Sequence, residues 1–343
     1  MKILVTGGSG FFGSLLLKRI LSLGYECINL DLNNSGINNK NLIEINKDIL
    51  NENKIDEAFK NVDLVYHNIA AVPLVNNKKT FLDTNIEGTR IVIEKSIKYG
   101  VSKLINTSSS AIFGIPANNP VNEEDPCIPI DPYGKAKLKG EFLLEKYKKD
   151  INFVSIRPRT IIGPERLGIF QILYEWIYNN QNIPVLNGGQ NIYQFIHVND
   201  LVDFNISLIE KELKNDFINI GANNPKELSS ELKKLINFAE SGSKIKSLNK
   251  NIVKNMLLVT NFFNLTPLST YHAFMYGESL YFDNNKLENQ FEFTPKYSNT
   301  DTLIDGYKWY VENRDFILSN NDLNSPHKSP VKQKLLKLIP KMI

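Results

Sequence analysis

The stretch ILVTGGSGFFGSLLLKRILSLG, residues 3–24, decides the fold. Its apolar run ILVT (3–6) leads straight into TGGSGFFG (6–13), and FFGSLLLKRILSLG (11–24) carries helical periodicity that stops at Gly24. Gly7, Gly10 and Gly13 therefore fall between a strand and a helix. A chain that turns sharply there can bring its backbone, at Phe11 and Phe12 among others, against a pyrophosphate. The helix adds its N-terminal amides and dipole. The bland alternative for three glycines is a tight strand–helix turn. A candidate ribose ligand follows, however: Asp31, at the end of the second apolar segment ECINLDL (26–32). A carboxylate at that place accepts hydrogen bonds from an adenosine ribose and repels a 2′-phosphate, so NAD is expected rather than NADP. Asp48, after the next strand LIEI (42–45), is a candidate adenine contact or a solvated loop carboxylate.

Strands and helices keep alternating outward from this stretch. The pattern predicts a helix at ENKIDEAF (52–59), a strand at DLVYH (63–67) and a helix from about Thr80 to Tyr99. It then predicts a strand in KLINTSSS (103–110), a helix at DPYGKAKLKGE (131–141) and a strand at NFVSIR (152–157). Strands separated by helices form a mostly parallel sheet covered on both faces. The expected class is α/β, a Rossmann-type doubly wound sheet with a smaller C-terminal α/β substrate lobe. Past about residue 160 the pattern is irregular, with helices near 168–180, 199–213 and 227–241. The expected division is a dinucleotide domain over 1–160, to which about 190–222 returns, a substrate lobe mainly over 161–313, and a basic tail over 314–343.

Bulk properties exclude several classes. The chain has 343 residues, 42% hydrophobic and 22% charged, ordinary for a globular protein able to bury a large core. A net charge of +3 argues for no nucleic-acid partner. Two cysteines, Cys27 and Cys127, make no disulfide framework and suit a reducing compartment. The start MKILVTGGSG lacks a signal-peptide pattern, and no apolar run approaches a membrane span. The expectation is a cytoplasmic protein. None of the four histidines forms a metal-ligand pattern, so no metal is expected.

In DPYGKAKLKGE (131–141), Tyr133 and Lys137 share one helix face. A tyrosine beside an ammonium is either surface decoration or a phenol whose proton is made easier to remove. The other motifs weigh on that choice. The G-x-x-G-x-x-G spacing and the downstream Y-x-x-x-K occur with DLVYHNIAA (63–71), NIEGT (85–89), NTSSSAIFG (106–114), RPRTIIGP (157–164), FIHVNDLV (195–202) and FINIG (217–221), in that order. Late in the chain, LYFDNNKLENQFEFTPKYS (280–298) looks like a C-terminal element of the same set. Over about residues 1–313 the chain resembles the extended short-chain dehydrogenase/reductase family, also called the NAD-dependent epimerase/dehydratase family.

That resemblance implies Tyr133 as acid/base, Lys137 as its partner and a nicotinamide-ribose contact, and Ser109 as the hydroxyl that steadies the substrate oxygen. It places Ile49, Ala70 and Asn85 beside the cofactor, and Ser110, Thr160, Arg166 and Tyr193 with Ser109 in the substrate site. A phenol of ordinary pKa about 10 is a poor base at neutral pH, and a neighbouring ammonium favours the phenolate. His67 and His197 read as structural. A homodimer through the helices flanking the site is a family expectation.

Departures from the family narrow the reaction. Its dehydratases need a further acid/base carboxylate just after the catalytic Ser/Thr; Ser110 and Ala111 stand there, which disfavours dehydration. Its nucleotide-sugar epimerases commonly place an arginine where this chain has Tyr193, and an asparagine where it has Thr160. MYGESLYFD (275–283) lacks a second common arginine; Arg159 or Arg166 could compensate as a phosphate clamp. The expected activity is a nucleotide-sugar epimerase. The missing arginines support an alternative, a 3β-hydroxysteroid-like or other lipid-alcohol dehydrogenase, and a non-catalytic NAD-binding regulatory or scaffold protein is a remote third. The tail SPVKQKLLKLIPKMI (329–343) sets Val331, Leu335, Leu338, Ile339 and Met342 opposite Lys332, Lys334, Lys337 and Lys341. Such a helix suits peripheral membrane contact, although a docked or disordered terminus is the plainer expectation.

Overall fold

In a computed structural model, residues 1–71, 82–212, 214–249, 275 and 277–319 are described. Strands β1 (Lys2–Thr6), β2 (Glu26–Asp31), β3 (Leu42–Asn46), β4 (Leu64–His67), β5 (Lys103–Thr107), β6 (Asn152–Pro158) and β10 (Asp216–Ile220) form one sheet. Every pairing in it is parallel, in the order β10-β6-β5-β4-β1-β2-β3. The interior strand β1 is fully buried at Ile3, Leu4 and Val5, which is why the stretch reads as an unbroken apolar run: both faces are covered.

Helices α1 (Phe11–Ser22) and α5 (Val198–Ser207) cover one face through Leu16, Leu17, Ile20, Leu201 and Phe204. Helices α2 (Gly88–Lys98) and α3 (Pro132–Lys146) cover the other through Ile91, Val92 and Leu144. Strand order reverses between β1 and β4, so a crevice opens beyond their C-terminal ends. The glycine turn after β1 and the loop after β4 both lie there.

The second half adds two small parallel pairs, β7 (Thr160–Ile162) with β9 (Phe195–His197) and β8 (Ile183–Leu186) with β11 (Ile245–Leu248). With α4 (Ile169–Tyr178), α6 (Leu228–Phe238) and α8 (Asn299–Ser319) they enclose a separate core that includes Phe170, Tyr174, Leu235 and Tyr310. Helix α7 (Asn285–Phe291) returns Leu287 and Phe291 to the core of the main sheet.

Three local expectations need correction. Residues 52–59 form two 3₁₀ turns, Glu52–Lys54 and Asp56–Phe59, rather than a helix. The segment is too short to sustain a helix, neither turn has a side-chain cap, and Ile55, Ala58 and Phe59 bury without one. The helix expected from Thr80 opens, in its described part, with a π-turn at Asp83–Glu87 before α2. The irregular second half contains five strands of three to five residues, too short to leave a readable period. The basic stretch 329–343 lies outside the described residues.

Candidate active site

The glycine turn is shaped by close backbone contacts. Gly7 has φ +73°, and a Cβ there would stand 2.9 Å from the Ile69 amide nitrogen. A Cβ on Gly13 would meet the Gly7 carbonyl oxygen at 2.1 Å. On Gly10 it would meet only that oxygen, at 3.3 Å, so this glycine faces open space. Gly10 is also the N-cap of α1; it supplies no capping side chain, and no acidic residue lies in the first turn. The first amides of α1 are therefore left for an anion from outside.

Asp31, at the end of β2, accepts hydrogen bonds from the amides of Ser9 (3.1 Å) and Asn33 (3.2 Å). Burial raises its pKa, and these amides oppose that rise. Asp48 is exposed, its carboxylate capping the Leu50 amide at 2.9 Å, while Ile49 is buried against Gly88. Ala70 is half-buried in the loop after β4. Asn85 is buried and pins that loop: its amide donates to the Ala71 carbonyl at 2.9 Å and accepts from the Ala71 amide at 3.1 Å. Asn85 stands on the π-turn at Asp83–Glu87.

The tyrosine is positioned by its helix. Asp131 caps α3 by accepting from the amides of Gly134 (3.0 Å) and Tyr133 (3.3 Å), with Pro132 in the first turn. Gly134 lets this helix end meet the turn 110–113, since a Cβ would lie 2.4 Å from the Ala111 carbonyl oxygen. Tyr133 is thereby brought to Ser109, whose hydroxyl hydrogen-bonds the phenol. Ser109 also accepts from the Ala111 amide at 3.2 Å. Sequence reasoning missed Gly134, and the cue was there: a glycine in the first turn of a helix needs a packing reason.

Burial pushes the Tyr133 phenol up to about 12, opposed by the Ser109 hydrogen bond and the Arg166 charge. The Lys137 Nζ lies 6.0 Å from the Tyr133 ring centre and donates to the Thr107 carbonyl at 2.7 Å. Burial lowers the lysine to about 8. One turn further on, Glu141 forms a buried ion pair with Arg157 at 2.8 Å, locking α3 to β6. Glu141 therefore ends the DPYGKAKLKGE motif as a clamp on the sheet.

His67 is a satisfied core imidazole, bonded to the hydroxyls of Thr6 (2.8 Å) and Thr89 (3.1 Å). Burial first, then the Lys137 charge, lowers it to about 3 from an ordinary 6.5. Below pH 6.5 the unfolded chain binds a proton that the native state refuses, so stability falls as pH drops towards 3. The slope from this one group is up to about 1.4 kcal/mol per pH unit. In denaturant melts across this window, His67→Gln should have a flatter acid limb than the parent. Parallel limbs would remove His67 as the source. His197 caps α5 through Asn199 (3.1 Å), bonds Asp305 (3.0 Å) and stacks on Tyr297, a structural role.

The remaining candidates form a second cluster joined to the first through Ser109 and Ser110. Ser110 is buried and accepts from Nη1 of Arg159 at 2.8 Å, a contact that sequence reasoning did not foresee. The Arg159 guanidinium lies 4.9 Å from the Tyr193 ring centre, and the Tyr193 hydroxyl meets Thr160 at 3.0 Å. Arg166 sits on the other side, 5.5 Å from the Phe11 ring centre and within electrostatic reach of Tyr133. Among the described residues no cluster of His, Cys, Asp and Glu could hold a metal ion.

A glycine turn at the switch point of a parallel sheet, with a Ser–Tyr–Lys cluster two strands away, defines the extended short-chain dehydrogenase/reductase class. The chain belongs to the NAD dependent epimerase/dehydratase family, whose model matches residues 3–221. It is 40% identical over 339 residues to uncharacterized protein y4nG of Sinorhizobium fredii, covering 98% of this chain and 85% of that one. A putative UDP-glucose 4-epimerase of Methanocaldococcus jannaschii is 31% identical over 237 residues, 64% of this chain and 76% of the relative. The human sterol-4-alpha-carboxylate 3-dehydrogenase, decarboxylating, is 32% identical over 213 residues, 60% and 57%. The crystal structure of UDP-glucuronic acid 4-epimerase from Bacillus cereus in complex with NAD has the same fold, with a TM-score of 0.75. It is 22% identical, with 91% of this chain and 99% of that one covered. Among the described residues no helix is long and apolar enough to cross a membrane.

Proposed function

We propose that this protein is an NAD-dependent epimerase that inverts a secondary hydroxyl of a nucleotide sugar. The observation that carries this reading is a pair of guanidinium groups, on buried Arg159 and half-buried Arg166, with no carboxylate bonded to them among the described residues. Nε and Nη2 of Arg159, and Nε and Nη1 of Arg166, have no hydrogen-bond partner among the described residues. Buried, uncompensated cations are costly, and a diphosphate substrate would relieve that cost. An apolar alcohol would not, which ranks the sterol-type dehydrogenase second despite Tyr193. Retention of Tyr133 and Lys137 opposes a non-catalytic role. Residues 161–313 would contribute most of the substrate lobe.

Gly7, Gly10 and Gly13, with the backbone of Phe11 and Phe12, would hold the cofactor pyrophosphate, and Asp31 the adenosine ribose, favouring NAD over NADP. When bound, the nicotinamide supplies a hydride acceptor that can return the hydride to the opposite face. Ser109 holds the substrate oxygen. Tyr133 Oη takes the hydroxyl proton as the hydride leaves and gives it back afterwards, so no net proton is consumed. That step needs the phenolate, which the Ser109 hydrogen bond and the Arg166 charge favour against the effect of burial. Lys137, fixed on the Thr107 carbonyl, would contact the nicotinamide ribose.

The test is a thermal shift on the NAD-loaded protein. UDP or GDP should raise its melting temperature, and Arg166→Ala should abolish the rise. If no nucleoside diphosphate moves it, while a sterol or long-chain hydroxy compound does, the nucleotide-sugar proposal is wrong.

A further inference from the structure

The adenosine end of the crevice holds a second carboxylate. Glu44 pairs with Asn29 across β3 and β2, and its side chain meets the loop that follows Asp31. One carboxylate oxygen accepts from the Ser35 amide at 3.1 Å and from the Ser35 hydroxyl. The other accepts at 2.7 Å from the side-chain amide of Asn29, which also donates to the Ser9 hydroxyl in the glycine turn at 3.0 Å. That hydroxyl in turn donates to the Asn33 carbonyl at 2.6 Å. Asn29 is fully buried, so the whole chain of contacts is anchored in the sheet.

A phosphate held by a loop needs converging amides and hydroxyls, or a cation. Here the amides of Ser9 and Asn33 already go to Asp31, and the amide and hydroxyl of Ser35 go to Glu44. Lys40 is the one cation among residues 32–41, and it is exposed. Lys47, just beyond, is paired with Glu57. Glu44 is also near enough to Asp31 for its charge to act there, raising that carboxyl in the same direction as the larger effect of burial.

We infer that Glu44 is a second determinant of cofactor choice, rejecting a 2′-phosphate by its charge and by keeping the Ser35 donors occupied. It bonds Ser35 and Asn29 rather than the nucleotide, so it is a positioning residue. The role rests on the assignment of Asp31 to the adenosine ribose and is independent of the sugar substrate.

Calorimetry on the full-length protein would compare NAD with NADP for the parent, Asp31→Asn, Glu44→Gln and the double variant, at low and high salt. The parent should favour NAD. Asp31→Asn should weaken NAD binding yet keep an NAD preference of roughly tenfold, the scale of one charge near a protein surface. That remaining preference should shrink at high salt. Glu44→Gln alone should raise NADP affinity roughly tenfold with NAD affinity little changed, and the double variant should bind the two cofactors about equally.

If Asp31→Asn alone abolishes the preference, or Glu44→Gln leaves NADP affinity at the parental value, Asp31 is the sole determinant and the inference is overturned. If Glu44→Gln does not fold, the salt series on Asp31→Asn decides, and a preference that salt leaves unchanged rules out a second charge. Equal affinities for NAD and NADP in the parent would instead remove Asp31 from the ribose, and the role of Glu44 with it.

Discussion

Replacing Tyr133 with phenylalanine will lower turnover by roughly two to four orders of magnitude, the usual contribution of a positioned acid/base group. The reason is local. The ring sits in the first turn of α3, held to the 110–113 turn by the close approach that Gly134 permits. Phenylalanine keeps that packing and removes only Oη, the atom bonded to Ser109. The affinity for NAD should change little, since the glycine turn and Asp31 lie on other strands. Calorimetry for NAD and steady-state rates on the nucleotide sugar chosen by the thermal screen would check both halves. Near-parental turnover in this variant would remove Tyr133 from the chemistry.

A second large effect is expected from Gly13→Ala. The added methyl would lie 2.1 Å from the Gly7 carbonyl oxygen and 3.0 Å from the Gly8 Cα, all backbone that cannot swing aside. The turn and the start of α1 must separate, which should cost several kcal/mol of stability and abolish dinucleotide binding. Gly10→Ala supplies the contrast. Its methyl meets protein only at 3.3 Å, so the fold should survive while the methyl stands where a pyrophosphate would approach. Denaturant melts separate the two variants, and calorimetry should show both failing to bind NAD. Normal NAD binding by Gly10→Ala would place the pyrophosphate elsewhere.

Features carried by neighbouring residues were the most legible in the sequence. The strand–glycine–helix stretch 3–24 announces the parallel sheet because its turn, its helix and its buried strand all act within some twenty residues. Tyr133 and Lys137 were legible as a pair because a helix turn sets their spacing. What they touch was not. The Lys137 ammonium goes to Thr107 and Glu141 goes to Arg157, on strands distant in the chain. Burial of the phenol, with the Ser109 hydrogen bond and the Arg166 charge opposing it, likewise depends on contacts distant in the chain. Arg159 shows the same limit: its place beside Ser110 depends on the approach of β6 to the turn 110–113, which no local pattern encodes. Strands as short as β7 and β9 are set by pairing partners rather than by periodicity.

In the proposed reaction a hydride is taken from a nucleotide sugar and returned to it. The direct test incubates the protein with a catalytic amount of NAD and the nucleotide sugar that stabilises it, following reduced nicotinamide by absorbance and the sugar by NMR. The hydroxyl epimer should accumulate over many turnovers while reduced cofactor stays below one equivalent per protein. Reduced cofactor forming in step with substrate loss, or an oxidised sugar in place of the epimer, would contradict it.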